Sequence, residues 1–179
     1  MLDGDELAGI ASQFGALTRD ELVRAVEELA FKRGETADAA AVADAVDGAL
    51  ADLHLVAVER DGEEVLAPGP TAFPRLPSGA DDLPHILDAP ERSVPREALV
   101  DPAEHRLRET AAAAVADDDS ERIERLLDAT YDLESWAPDA DVASIRERLD
   151  AALAAGSDGG DAAAADGPDD GPDDGTGGD

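Results

Sequence analysis

The stretch "HLVAVERDGEEVLAP", residues 54–68, has the pattern of a β-hairpin. Each of its arms contains a short apolar run, Leu55–Val58 and Val65–Ala67, and Asp61-Gly62 lies between them. This pair is the strongest short hairpin signal, because both residues readily adopt the positive φ angles of a two-residue turn. A turn of two residues also sets the register of the strands. The predicted pairs are Arg60 with Glu63, Glu59 with Glu64, Val58 with Val65 and Ala57 with Leu66.

Three amphipathic helices are predicted before the hairpin, over residues 5–17, from Thr18 to near Gly34, and from about Thr36 to Leu53. Apolar residues recur in each at intervals of three and four. Thr18 opens the sequence "TRDE", a capping-box pattern that starts the second helix. Three helices followed by a hairpin are the order of a winged-helix domain, a relative of the helix-turn-helix.

Residues 69–101 form a proline-rich segment. Its prolines exclude long helices or central strands. The segment is nevertheless too apolar for a free linker, because it contains Phe73, Leu76, Leu83, Ile86 and Leu87. We expect it to pack across the hairpin or between the two halves of the chain.

The second half of the chain is predicted to be helical over residues 102–155, with two to three helices. Ser120 is the expected N-cap of the helix over 120–136, and Gly156 the expected C′ residue of the last one. Residues 156–179 contain acids, no bases and a repeated Gly-Pro-Asp-Asp unit, which predicts a disordered acidic tail. The fold class is therefore mainly α with a small β-hairpin: a winged-helix-like domain over 1–68, the proline-rich segment, a helical region and the tail.

The composition indicates the ionic strength at which the protein works. The 179 residues include 44 acids and only 14 bases, for a formal charge of -30. Such a surface suits a salt-in halophile, where screening removes the self-repulsion of a compact acidic protein. A GC-rich genome also enriches Ala, Asp, Arg, Gly and Val, but codon bias alone does not explain the ratio of acids to bases, so we favour a halophilic source. The absence of cysteine excludes disulfides, and no segment is apolar enough for a membrane span, so we expect a cytoplasmic protein.

The two elements that a winged-helix protein presents to DNA are acidic here. The third helix contains no basic residue, Asn or Gln, and the hairpin tip reads Asp-Gly-Glu-Glu. Affinity for DNA comes mainly from Lys and Arg side chains that neutralise phosphates. We expect Glu63 to neutralise Arg60 across the turn. The pattern therefore favours a protein partner over DNA.

Four bases lie on the second helix or at its ends and are candidate contacts for a nucleic-acid backbone or a protein partner, as is Arg60. They are Arg19, Arg24, Lys32 and Arg33. The alternative is that they form ion pairs with the nearby acids Asp20, Glu27, Glu28 and Glu35. We favour this pairing.

The sequence contains only weak signals of a catalytic or metal-binding site. Asp81, Asp82, His85 and Asp88 have a spacing at which one helical turn could gather metal ligands, but we favour a short turn capped by Asp82, with Pro84 near its start. There is no nucleophile elbow, dinucleotide fingerprint or P-loop. We therefore predict no enzyme activity, metal or cofactor. Tyr131 and Trp136 form either a docking surface or part of the C-terminal core, and we favour the core.

Three further stretches are "FGALTRDELVRAVEELAFKRGE", "LAPGPTAFPRLPSGADDLPHILDAPERSV" and "LLDATYDLESWAP". Together they resemble an uncharacterised family of halophilic archaea, a domain-of-unknown-function group. The resemblance spans roughly residues 1–140 and implies a halophilic source. It brings no activity, cofactor or catalytic residue.

These observations lead to three hypotheses. The leading one is a non-enzymatic intracellular protein whose winged-helix-like scaffold serves protein–protein interaction. The first alternative is a DNA-binding transcriptional regulator that uses the second helix. The second alternative is a metal-dependent enzyme.

Overall fold

The structure, a computed structural model, describes residues 2–160, with side chains described for residues 2–156. It is mainly α-helical with one antiparallel hairpin, as predicted. None of the described helices is both long and apolar enough to cross a membrane. The elements are α1 (Gly4–Gln13), α2 (Arg19–Lys32), α3 (Ala39–Ala51), β1 (Leu55–Arg60), β2 (Glu63–Pro68), α4 (Leu83–Ile86), α5 (Glu97–Ala116), α6 (Ser120–Trp136) and α7 (Ala143–Gly160).

Capping boxes start the first two helices. At α2 the Thr18 N–H donates to Glu21 Oε2 at 2.8 Å, and the Glu21 N–H donates to Thr18 Oγ1 at 3.3 Å. Each hydrogen bond gives an acceptor to a backbone N–H that has none within the helix. Asp3 and Glu6 form the same arrangement at α1. The predicted start of α2 is thus confirmed.

The hairpin has the predicted register. Arg60 pairs with Glu63, and the pairing continues through Glu59 with Glu64 and Val58 with Val65 to Leu55 with Pro68. The two turn residues, Asp61 and Gly62, have φ angles of 54° and 85°. Positive φ at both positions matches the twist of the flanking strands, which is why Asp-Gly predicts this turn.

Both faces of the hairpin are buried. Leu55 and Leu66 belong to a hydrophobic core formed with α1, α2 and α3. Val56, Val65 and Ala67 point to the opposite face and join a second core with α5, α6 and α7. Successive side chains of a strand alternate between faces, so a short hairpin can serve two cores. The hairpin is therefore a middle layer, and only its tip extends into solvent.

The C-terminal helices pack through Leu107, Leu126 and Leu149, which are buried in the second core. Three predicted helix ends in the chain are wrong. Helix α1 ends at Gln13 and not at residue 17, because Gly15, with a φ of 77°, turns the chain. The N-cap of α6 is Asp119, whose carboxylate accepts the Arg122 N–H at 3.0 Å, and Ser120 is the first helical residue. Helix α7 continues past Gly156 to Gly160, because a glycine inside a helix costs only about 1 kcal/mol. The rest of the predicted tail, residues 161–179, lies outside the described residues.

The proline-rich segment runs along α1 and α2, and its last residues, 97–101, already belong to α5. The Arg75 N–H donates to Asp5 O at 3.0 Å, and the Arg92 N–H donates to Phe14 O at 2.7 Å. Leu83 is fully buried in the first core. The expected position across the hairpin or between the halves applies to both ends of the segment, where the Gly69 N–H donates to His54 O and Arg60 Nη2 donates to Ser93 O. For the residues between them the expectation was wrong.

Two glycines allow this close approach. A Cβ atom on Gly9 would lie 2.2 Å from Arg75 O, and one on Gly15 would lie 1.8 Å from Arg92 O. Gly15 also has a φ of +77°, which favours glycine. The segment is thus packed against the backbone of α1 and of the loop that follows it.

Candidate interaction surfaces

The outward face of α3 is acidic, as the sequence predicts. Asp44, Asp47 and Asp52 are exposed on it or at its end. At the hairpin tip Glu63 and Glu64 are exposed as well. These are the elements by which a winged helix contacts DNA, and here they repel phosphate.

Arg19 and Arg24, two predicted contact residues, both bind within the chain. Arg19 Nη2 lies 2.5 Å from Asp47 Oδ1, and so links the start of α2 to α3. Arg24 Nε donates to the backbone carbonyl of Asp20 at 3.4 Å, a long hydrogen bond on an exposed surface. The partner of Arg19 was not among the acids expected, because the cross-helix carboxylate lies closer to it than any acid of its own helix.

Lys32 and Arg33, at the end of α2, hold the proline-rich segment. Lys32 Nζ donates to Gly79 O and to Asp82 Oδ2, both at 3.0 Å. Arg33 Nη2 donates to Ser78 O at 2.7 Å. The expected pairing with Glu27, Glu28 and Glu35 was wrong, because both side chains extend beyond the last turn of α2 toward carbonyl groups of the segment.

Arg60, the fifth candidate, also faces the segment. Its Nη2 donates to Ser93 O at 3.3 Å. The expected neutralisation by Glu63 was wrong, since the Glu63 carboxylate lies 3.6 Å from Arg92 Nη2 instead. Arg60 and Glu63 are partners in the strand register, but their side chains contact the proline-rich segment instead of each other.

A largely buried, two-point ion pair joins Arg92 to Glu21, and the sequence did not reveal it. Arg92 Nη1 and Nη2 donate to the two carboxylate oxygens of Glu21 at 2.6 and 3.1 Å, and the side chains are only 15% and 11% exposed. This two-point geometry is the strong form of an arginine–carboxylate pair. Arg92 Nη1 also donates to Ala16 O.

The pKa of Glu21 reflects this contact. Burial by itself raises the pKa, but the hydrogen bonds from Arg92 and from the Thr18 N–H outweigh it and hold the pKa below its usual value. Glu21 therefore serves two purposes: it completes the capping box of α2 and it binds the proline-rich segment.

All three arginines between residues 69 and 96 attach the segment to other elements. Arg75 forms an ion pair with Asp3, and Arg96 Nη1 donates to Trp136 O at 3.2 Å. Arg92 is the third. A usable signal was present in the sequence: 44 acids face only 14 bases, so an arginine in an irregular stretch has many acids to bind and few competitors.

Tyr131 and Trp136, predicted to form either a docking surface or part of the C-terminal core, differ in their burial. Trp136 is partly buried against the second core, with Arg96 5.1 Å from the centre of its ring. Tyr131 is 50% exposed, and Arg146 stacks on it at 4.1 Å. The prediction that both anchor the core is wrong for Tyr131. Its hydroxyl suits an aqueous position, and the arginine covers the face of the ring.

The acidic stretch around His85 does not gather into a metal site. Asp82 binds Lys32, and His85 lies on the short exposed helix α4. Among residues 2–160, no group of three or more His, Asp or Glu side chains is arranged to hold a metal ion.

A concave surface lies between the first three helices, and we call it the α1–α3 groove. Its volume is about 360 Å³. Its floor consists of core side chains, Leu7, Val26, Leu29 and Val42, all of which are aliphatic. Ala41 and Ala45 of α3 lie along one wall and are half-buried. The sequence could not show this groove, because three separate elements and the loop 33–38 create it.

Charged groups occupy only the rim of the α1–α3 groove. Three of them are carboxylates, from Glu6, Glu35 and Asp38. The fourth is Arg33, whose guanidinium already donates to the proline-rich segment. The rim is therefore acidic and the floor apolar.

Comparison with known proteins gives one match. Residues 5–154 match a family of unknown function, DUF7109. No curated protein and no solved structure matches the chain. The match covers α1 to nearly the end of α7, so it includes both cores and the proline-rich segment. The chain belongs to the family of unknown function DUF7109.

Proposed function

We propose that this chain is a non-enzymatic scaffold for protein–protein interaction in the cytoplasm of a salt-in halophile, with a winged-helix-like arrangement of α1–α3 and the hairpin. One observation carries the proposal. The five bases that could contact DNA, Arg19, Arg24, Lys32, Arg33 and Arg60, all bind groups within the chain.

The acidic α3 and hairpin tip support the same conclusion, because DNA affinity depends on free cations at the contact surface. The second-helix regulator is the alternative. For DNA to bind there, Lys32 and Arg33 would have to release Asp82, Ser78 and Gly79, which would detach the proline-rich segment from α2. DNA binding would therefore cost the protein part of its own packing.

Chromatin immunoprecipitation with sequencing, on tagged protein in its native high-salt cell, tests the proposal. We expect a flat profile beside a DNA-binding control that gives peaks. Discrete peaks with a shared sequence would refute the scaffold. The charge variant Arg19→Gln/Arg24→Gln/Lys32→Gln/Arg33→Gln would then show whether α2 reads the DNA, because it should lose the peaks.

A further inference from the structure

We infer that the α1–α3 groove binds an amphipathic helix of a partner protein, with an apolar stripe that enters the groove and Lys or Arg residues that meet its rim. This inference rests on the proposed function and gives it a site and a partner class. The argument has three steps: the chemistry of the floor, the shape of the walls and the charge of the rim.

The floor of the groove favours a hydrophobic side chain over a polar small molecule. Small-molecule sites usually contain a few polar groups that fix the orientation of the ligand. Here the floor residues Leu7, Leu29 and Val42 offer only aliphatic carbon. The polar lining groups lie at the rim, so nothing at the bottom would orient a polar ligand. Leucine-like anchors would remove this apolar surface from water at roughly 25 cal/mol per Å².

The walls of the groove suit a helix. The lining residues of two helices recur at intervals of three and four. They are Val26, Leu29, Ala30 and the C-cap Arg33 for α2, and Ala41, Val42 and Ala45 for α3. Grooves between two helices receive the i, i+3, i+4 and i+7 anchors of a third amphipathic helix. The alanines of α3 leave room for such anchors.

The rim selects a basic partner. Glu6, Glu35 and Asp38 surround the opening, and Arg33 already has an acceptor in Ser78 O. No side-chain partner is described for the Glu35 carboxylate, which is exposed. At about 1 M salt the Debye length is about 3 Å, so only charges in contact still attract. The apolar floor then supplies most of the affinity, and the carboxylates of the rim disfavour a helix with an acidic polar face.

The test uses a labelled peptide of about 16 residues, long enough for a helix when bound. It has Leu at positions i, i+3, i+4 and i+7 and Lys elsewhere. Two comparison peptides replace Lys by Glu or scramble the order. Binding to the full chain is measured by fluorescence anisotropy in about 2 M KCl, where long-range attraction to the acidic surface is screened.

Two matched pairs of variants locate the binding. Ala41→Trp fills the groove, whereas Ala40→Trp places the same side chain one residue away on an exposed position outside the lining. Glu35→Lys reverses a rim charge, whereas Glu27→Lys reverses an exposed charge elsewhere on α2. Circular dichroism shows whether each variant is folded.

We expect the Lys peptide to bind the wild type, Ala40→Trp and Glu27→Lys alike. Binding to Ala41→Trp should be weaker by about tenfold, as for loss of a central anchor pocket. Glu35→Lys should weaken it several-fold, and the Glu and scrambled peptides should bind poorly. Equal binding to Ala41→Trp and the wild type, or none to the wild type, would overturn the inference.

Two other occupants are distinguishable outcomes. A small apolar dye that binds only when Ala41 is intact, with no peptide binding, would make the groove a small-molecule pocket. Self-association that Ala41→Trp abolishes would make a second copy the occupant. Either result removes the partner helix but leaves the scaffold proposal standing, because only sequence-specific DNA peaks refute that proposal.

Discussion

Replacing Arg92 should release the proline-rich segment from α2 and destabilise the whole fold. The variant Arg92→Met keeps an apolar stem and removes the guanidinium, so the Glu21 carboxylate, in a side chain only 11% exposed, loses its cation. Removal of one partner from a buried ion pair costs about 3–5 kcal/mol. Because Glu21 keeps its hydrogen bond from the Thr18 N–H, we expect the lower end, about 3 kcal/mol.

A double-mutant cycle isolates the pair. Glu21→Gln preserves the capping-box acceptor, since Gln also serves at this position, but removes the charge. The double variant Arg92→Met/Glu21→Gln should lose less than the sum of the single losses, by a coupling of about 1–3 kcal/mol. Free energies of unfolding are measured with urea at constant KCl, because guanidinium chloride would change the screening.

Arg24→Met is the control, because Arg24 is exposed on the same helix and makes only one long backbone hydrogen bond. It should change stability by less than about 0.5 kcal/mol. A coupling below about 0.5 kcal/mol between Arg92 and Glu21 would refute the reasoning. The contact would then be a surface pair with no part in holding the segment.

Four other predictions concern two glycines, the attachment of the proline-rich segment, two carboxyl groups and the effect of salt. Gly9→Ala should destabilise the protein, because its Cβ would meet Arg75 O at 2.2 Å, whereas Gly48→Ala, with nothing within 4 Å, should stabilise it by about 1 kcal/mol; stabilisation by both in urea unfolding would contradict the position of the segment. Lys32→Gln/Arg33→Gln should speed amide hydrogen exchange over residues 79–82, and Arg24→Gln should not; unchanged exchange would mean that these bases do not hold the segment. The depressed pKa of Glu21 contributes stability that is complete above about pH 4.3 and is lost as the pH falls through the lower folded-state value. Burial and then the charge of Asp128 raise the pKa of Asp132, so the ionised carboxylate destabilises the fold at neutral pH. Asp132→Asn should therefore increase the free energy of unfolding at neutral pH and leave it unchanged in acid. Unfolding of Glu21→Gln and Asp132→Asn as a function of pH checks both predictions. The thermal midpoint should rise with KCl, because screening reduces the repulsion of a chain with a formal charge of -30, and a midpoint independent of salt would argue against halophilic adaptation.

Much of the local structure was predictable because it depends on neighbours in the chain. Asp61-Gly62 prefers the turn that it forms, and that turn sets the register down to Ala57 with Leu66. Thr18 and Glu21 are three residues apart, so their capping box needs no distant partner. The end missed at Ser120 concerns a single residue, and those of α1 and α7 concern about one helical turn, where conformations differ by only about 1 kcal/mol per residue.

The candidate surfaces were predictable only in part. The acidity of α3 follows from its composition, and it is exposed as expected. The partners of the bases were not predictable, because an arginine in an acid-rich chain has many carboxylates and carbonyls within reach after folding. Arg19 binds Asp47, and Arg60 donates to the Ser93 carbonyl and not to the neighbouring Glu63.

The sequence by itself determined the six longer helices apart from some of their ends, the hairpin register and the acidic character of the surface, since periodicity, turn chemistry and composition act over a few residues. Only the tertiary structure decided that the hairpin lies between two cores, that the proline-rich segment runs along α1 and α2, and that an apolar groove opens among three helices. These features depend on contacts between residues such as Glu21 and Arg92, which lie 71 positions apart. No local pattern encodes such a pair, because its formation requires the core that brings the two side chains together.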